Sequence, residues 1–201
     1  MKYWMQNINK ILRDWESYVL DGDCRDRRRI FIDRGGDVLF VAHLDTVQVP
    51  CLVGQDGDYY YGAGFDDRVG CYVATKLGGL LKADVLLTDL EESGCSTAQY
   101  HQLRDYNWIV EFDREGDDVV MYDIICPELE AAVSDYWPIG LGSFTDICFL
   151  DTDIGRYNLG IGYQDAHSKL SRFSVDTLKK QVNMFKEFYN KYQKVKFRTQ
   201  K

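Results

Sequence analysis

Apolar residues fall in two alternating rhythms along this chain. Trp4, Ile8, Ile11, Leu12, Trp15 and Val19 recur at helical spacing and predict an amphipathic first helix over 3–20. Residues 29–33 (RIFID) predict a strand, and Arg34-Gly35-Gly36-Asp37 a turn. The apolar runs 38–42 (VLFVA) and 84–88 (DVLLT) predict strands buried on both faces. Between them come a strand at 58–61, a glycine turn at Gly62-Ala63-Gly64 and a helix from about Asp67 to Leu81. Further on, Ser96 caps a short helix to Leu103. Strands follow at 107–112 and 118–122, then a helix over 127–134 with Pro127 at its first position. Strands at 147–150 and 157–161 lead to a closing helix over 174–193, capped by Ser174 and marked by Leu178, Val182, Phe185 and Phe188. The basic tail, 194–201, is expected to fray. Strands that alternate with helices predict an α/β fold, a three-layer αβα sandwich on a mixed, mostly parallel sheet. With no repeat or linker, 1–201 is expected to be one domain.

Composition narrows the function classes. A chain of 201 residues, 45% of them hydrophobic, can bury one real core. Its net charge of −8 argues against a nucleic-acid partner. The cluster Arg25, Arg27, Arg28, Arg29 is broken up by Asp23 and Asp26 and reads as a solvated turn. The six cysteines form no CxxC pair, which argues against a zinc ribbon or redox motif. No leader-like segment is visible, and no apolar run of about 18 residues suggests a membrane span. A cytoplasmic protein with no membrane partner is the expectation.

Chemistry gathers where the apolar runs end. Ligands in open α/β sheets bind beyond the carboxyl ends of the strands. There the chain places His43 and Asp45, then Asp66 after a glycine turn, then the pair Glu91-Glu92, then Asp113, and finally His167. His43 and Asp45 alternate on an extended chain and point the same way, so Asp45 can hold the second ring nitrogen of a metal-bound histidine. In the glutamate pair, one side chain suits a metal and its neighbour a proton transfer from water. Singly, each feature has an ordinary explanation, a solvated loop or a helix-start carboxylate. Together they supply nitrogen and oxygen donors without thiolate, a set that suits zinc, with manganese and cobalt as alternatives. His101 reads as a surface residue of its helix. Tyr59-Tyr60-Tyr61 and Tyr136-Trp137-Pro138 suit a subunit contact, a substrate wall or core.

These motifs, AHLDTV, GFDDRVGC, LEESG, EFDRE and AHSKL, resemble those of the two-zinc exopeptidase clan over roughly Val38 to Leu170. The clan includes leucyl aminopeptidases, peptidase T, the tetrahedral-complex aminopeptidases and the glutamate carboxypeptidases. The resemblance implies His43, Asp66 and Asp113 as ligands of one zinc, and Asp66, Glu92 and His167 as ligands of the other. It implies Asp66 as the bridge, Glu91 as general base and Asp45 as the support of His43. Gly142-Ser143-Phe144-Thr145-Asp146 resembles, with departures, a substrate loop, and Asp146 is carried over as a substrate contact. The gaps leave no room for the lid or dimerisation insert of many members. Substrate contacts must come from short loops or another subunit of a homo-oligomer. The implied activity is peptide or amide hydrolysis, with an aminopeptidase favoured. A carboxypeptidase, an N-acyl amino acid deacylase and a non-catalytic metal-binding scaffold are the alternatives.

Overall fold

The computed structural model describes residues 1–200. In chain order, strands are β1 (Val19–Leu20), β2 (Arg29–Ile32), β3 (Val38–His43), β4 (Cys51–Asp56), β5 (Tyr59–Ala63), β6 (Asp84–Thr88), β7 (Trp108–Arg114), β8 (Val119–Val120), β9 (Arg156–Gly160), β10 (Tyr163–Gln164) and β11 (Ser171–Ser174). The helices are α1 (Ile8–Asp14), α2 (Phe65–Leu81), α3 (Pro127–Ser134) and α4 (Val175–Tyr192). Seven strands form the main sheet in the order β1-β2-β6-β3-β7-β9-β8. Its four central strands, β6, β3, β7 and β9, run parallel, while β2 and β8 join antiparallel. The expected α/β class with a mostly parallel core is what the chain adopts.

The pleat divides the core. Along β3, Val38, Phe40 and Ala42 enter one cluster and Leu39 and Val41 the other. The first cluster lies under α2, α3 and α4. In it Phe40 meets Phe112 and Phe185 edge to face at 5.4 Å each, a favoured arrangement of aromatic rings. The opposite layer is thin, built on two short 3-10 turns, Thr97–Tyr100 and Asp146–Phe149, through Ala98 and Ile147. The capping residues read from the sequence act as such: Ser96 accepts from the Ala98 amide and Ser174 from the Thr177 amide.

Four expectations need correction. The first helix shrinks to α1 with Asn7 as its cap, because tertiary contacts claim the backbone before it: Arg68 donates to the Trp4 and Gln6 carbonyls. Trp4 and Trp15 still pack together, 5.9 Å apart, so the periodicity reports a buried face and overstates the helix. Residues 147–150 belong to a 3-10 turn, since a four-residue apolar run cannot by itself select strand geometry. The tail does not fray up to Gln200. Phe197 is buried, and its backbone bonds to Asn107 and Gly155. A second, antiparallel sheet, β10-β11-β5-β4, was missed because three of its four strands are short or exposed and carry no apolar alternation. Within it Tyr60 stacks on Phe173 at 5.3 Å, while Trp137 is buried in the main core.

His101 is also not a surface residue. Its ring packs on Phe31 at 4.5 Å, and both ring nitrogens are buried without a hydrogen-bond partner among the described residues. Burial, and then the charge of Arg29, lower its pKa to about 4. An unfolded histidine titrates near pH ~6.5. As pH falls from there toward 4, the unfolded chain therefore gains a proton that the folded chain refuses, and stability is lost. For a ring that keeps some exposure, the loss should reach about 2 kcal/mol. His101→Phe should remove this part of the acid sensitivity. Urea midpoints of the two proteins between pH 7 and pH 4 measure it, and parallel curves would refute it.

Candidate metal centre

Parallel pairing sends the carboxyl ends of β6, β3 and β7 to one edge of the sheet. His43 ends β3, Glu91 and Glu92 form a 3-10 turn after β6, and Asp113 lies near the end of β7. Asp66 opens α2, where Gly64 takes the left-handed conformation and Asp66 and Asp67 have non-helical backbone joined by a cis peptide. His167 arrives from the loop after β10. Leu90 and His167 hold left-handed φ angles of 74° and 63°. Such backbone is uncommon for residues with side chains, and here it flanks the site.

Asp66 stands between the two histidines. Its Oδ1 lies 3.2 Å from His43 Nε2 and its Oδ2 3.0 Å from His167 Nε2. Asp113 Oδ1 is 3.5 Å from His43 Nε2, and Glu92 Oε2 is 3.0 Å from His167 Nε2. Glu91 is farther off, its Oε2 3.8 Å from His43 Nε2. His43 Nδ1 faces the Asp45 carbonyl at 3.0 Å and the Asp45 carboxylate at 3.4 Å. The same carboxylate accepts from the Glu91 and Glu92 amides at 3.3 and 3.1 Å, so Asp45 also shapes the glutamate turn.

Further side chains support these groups. Tyr163 and Thr145 hydroxyls donate to Asp113 at 2.9 and 3.1 Å. Asn158 clamps the Asp113 backbone by accepting from its amide and donating to its carbonyl. Asp67, fully buried, accepts from the His43 and Gly70 amides. Sequence reasoning missed Asp67, Thr145, Asn158 and Tyr163. Asp67 had a signal in its place beside Asp66 and Thr145 in its place beside Asp146; the others come together only through folding.

Asp146 is placed differently from the expected substrate contact. Its side chain is fully buried, held by the hydroxyls of Thr88 and Ser96. Gly142, Ser143 and Phe144 of its loop line the cleft instead, a cavity of about 520 Å3 above Asp66, Glu91, Glu92 and Asp113.

Crowded carboxylates disturb the site's protonation. Burial, with the charges of Asp113 and Asp146, pushes Glu91 up to about 8. Burial and Asp66 push Asp113 up to about 7. The hydrogen bond to Asp66, then the Glu92 charge, raise His167 to about 9. At Asp66 burial opposes ionisation, yet both histidines hold its carboxyl well below the usual carboxylate range. Groups arranged this way repel unless protons or cations intervene. Ligand atoms of His43, Asp66 and Glu92 lie within 4.8 Å of one another, as do those of His43, Glu91 and Asp113. The donor set and its spacing therefore fit bound cations.

Gly70 keeps this site tight. A Cβ there would run into the Phe112 carbonyl oxygen and both Asp67 carboxylate oxygens. In an ordinary helix, glycine to alanine gains about 1 kcal/mol. Gly70→Ala should have the opposite sign, a loss of about 3 kcal/mol from overpacking, read from the urea midpoint. A neutral or stabilised variant would show that α2 can move away from β7 freely.

No family model and no curated protein matches the sequence. Solved structures do match. Aminopeptidase PepT from Bacillus cereus aligns with a TM-score of 0.64 at 11% identity, over 92% of each chain. The Pyrococcus horikoshii TET1 peptidase, which can assemble into a tetrahedron or a large octahedral shell, aligns at 0.64 and 14% identity, over 88% of this chain and 91% of its own. An endoglucanase from Thermotoga maritima aligns at 0.52 and 13% identity. The chain thus shares the fold of these solved structures, aminopeptidases among them. Fold is shared across the differing activities in these names, so function rests on the site.

Proposed function

We propose that the protein is a metal-dependent aminopeptidase with two co-catalytic zinc ions. The observation that carries this reading is Asp66, whose two carboxylate oxygens face different histidines at 3.2 and 3.0 Å. His43, Asp66 and Asp113 would hold one ion, and Asp66, Glu92 and His167 the other. Bound there, the ions would supply Lewis-acid activation of a water and of the scissile carbonyl. Manganese or cobalt would satisfy the same donors. Asp45 keeps the His43 ring oriented with Nε2 toward the site. Glu91 lies in the cleft wall, its Oε2 3.8 Å from His43 Nε2, and would take the proton of the attacking water and return it to the leaving amine. The six unpaired cysteines are consistent with a reducing, cytoplasmic setting.

The cleft favours a free amine over a carboxylate. Of the carboxylates that line it, Asp66, Glu92 and Asp113 would hold the ions and Glu91 would take the proton, which leaves Glu115 to meet a free amine. Among the described residues Arg114 is the single arginine or lysine on its wall, and Asp118 holds that guanidinium with two 2.9 Å bonds. Arg172 pairs with Asp165 outside the cleft. Aminoacyl-amides, N-blocked peptides and N-acyl amino acids offered to the zinc-loaded protein test the reading. Cleavage confined to free amines is expected. Cleavage of blocked substrates would make it a carboxypeptidase or deacylase, and no cleavage at all a metal-binding scaffold.

A further inference from the structure

Asp113 and Arg114 are neighbours in the chain, yet both line the cleft. On a regular strand, successive side chains point to opposite faces. The register of β7 on β9 shifts between Glu111 and Arg114, and an irregularity of this kind re-aims a side chain. A guanidinium therefore stands in the cleft wall next along the chain from a metal-binding carboxylate. Arginine is the side chain best suited to hold a carboxylate, because its planar fork matches the two oxygens. Unpaired, Arg114 would draw in substrates that carry one.

Arg114 is not unpaired. Its Nε donates to Asp118 Oδ1 and its Nη2 to Asp118 Oδ2, both at 2.9 Å. Two parallel bonds of this kind give the guanidinium a fixed direction as well as a counter-charge. Both side chains are 27% exposed, so the pair is partly withdrawn from water. The backbone at Asp118 is fixed too. Its carbonyl accepts from the Gly160 amide at 2.8 Å, and the next residue, Val119, pairs with Leu159 of β9. Gly140 closes over the pair from a third segment, its amide bonded to the Val119 carbonyl at 2.7 Å. A Cβ at Gly140 would run into Asp118 Oδ2 and stand 3.1 Å from Arg114 Nη2. Three separate stretches of chain thus converge to keep one guanidinium neutralised at the edge of the cleft.

We propose that Asp118 is a specificity-determining residue: by holding Arg114 it makes the cleft reject substrates with an acidic side chain beside the scissile bond. The assignment rests on the aminopeptidase reading and adds the residue that sets which substrates are refused. Selectivity against a competitor needs no clash when the one group that would attract it is already engaged. Removing Asp118 should therefore admit the acidic substrate, through a group that the protein already carries.

The test compares the α-amides of glutamate and glutamine, which have nearly the same shape and differ in side-chain charge, on the zinc-loaded protein. The wild type should favour the glutamine amide in kcat/KM. Asp118→Asn should move that ratio toward glutamate by about tenfold, the scale of a hydrogen bond to a charged group, with the change in KM. The double variant Arg114→Gln/Asp118→Asn carries neither charge and should return to the wild-type ratio. Equal use of both amides by the wild type overturns the proposal, as does an unmoved ratio in Asp118→Asn. A shift that persists in the double variant also overturns it, since it would come from losing the Asp118 charge alone. Zinc content is read on each protein. A loss in Asp118→Asn that the double variant restores would put the released guanidinium on the ligand carboxylates and overturn the proposal as well. Should Asp118→Asn fail to fold, Gly140→Ala wedges the pair apart with both charges present; it should move the ratio the same way, and an unmoved ratio refutes the gate. Thermal shifts with free glutamate and free glutamine read selectivity without turnover. Stabilisation by glutamate gained in Asp118→Asn and lost in the double variant, with no hydrolysis by any of the proteins, supports the gate and fails the aminopeptidase.

Discussion

Glu91→Gln should cost the zinc-loaded protein roughly a hundred- to ten-thousandfold in kcat on a free-amine substrate, the usual worth of a positioned general base. The amide keeps the size of the side chain but cannot take a proton. Metal content should not change, since Glu91, 3.8 Å from His43 Nε2, lies farther from that ring than Asp66 and Asp113 do. Folding should not suffer either: burial and the Asp113 and Asp146 charges penalise the ionised Glu91, and the substitution removes that penalty. Steady-state kinetics, metal analysis and a thermal melt separate these effects. Full turnover by the variant would remove Glu91 from the mechanism. Loss of metal together with turnover would make it a ligand.

Asp66→Asn should weaken both metal sites at once, by at least roughly a hundredfold each, more than the usual effect of losing only a supporting partner. The reason is geometric. Among the described residues Asp66 is the single carboxylate close to both histidines, one oxygen to each. His167, with its side chain 57% exposed, has only Asp66 and Glu92 beside its Nε2 among the described residues. Glu92→Gln should accordingly weaken one site and spare the other. Metal titration after chelation reads the stoichiometry directly. An Asp66→Asn protein that keeps one equivalent at wild-type affinity would show two separate sites with no shared carboxylate.

Much of the site was legible because its ligands lie where strands end. An apolar run such as VLFVA announces a buried strand, and polar residues within a few positions of its end can emerge at the edge of the sheet. His43, Glu91-Glu92 and Asp113 follow that rule. Asp66 and His167 were reached through their glycine turns and through the clan resemblance, and folding places them against the others. Asp146 shows where the rule breaks. It follows no strand, and neighbouring hydroxyls draw it inward below the cleft.

By itself, then, the sequence determined the alternation of strands and helices, the α/β class and the shortlist of residues able to bind cations. Those are local matters: side-chain periodicity, turn-forming glycines and donor chemistry are written residue by residue. Tertiary structure alone decided the length of α1, which Arg68 curtails by claiming the Trp4 and Gln6 carbonyls. It alone paired the short strands of the second sheet and seated Phe197. It also turned one oxygen of Asp66 toward each histidine and closed a cavity around Arg25, Arg28 and Arg68. These outcomes depend on contacts between residues far apart in the chain. Their energies exist only once the backbone has closed, so no local pattern can encode them separately.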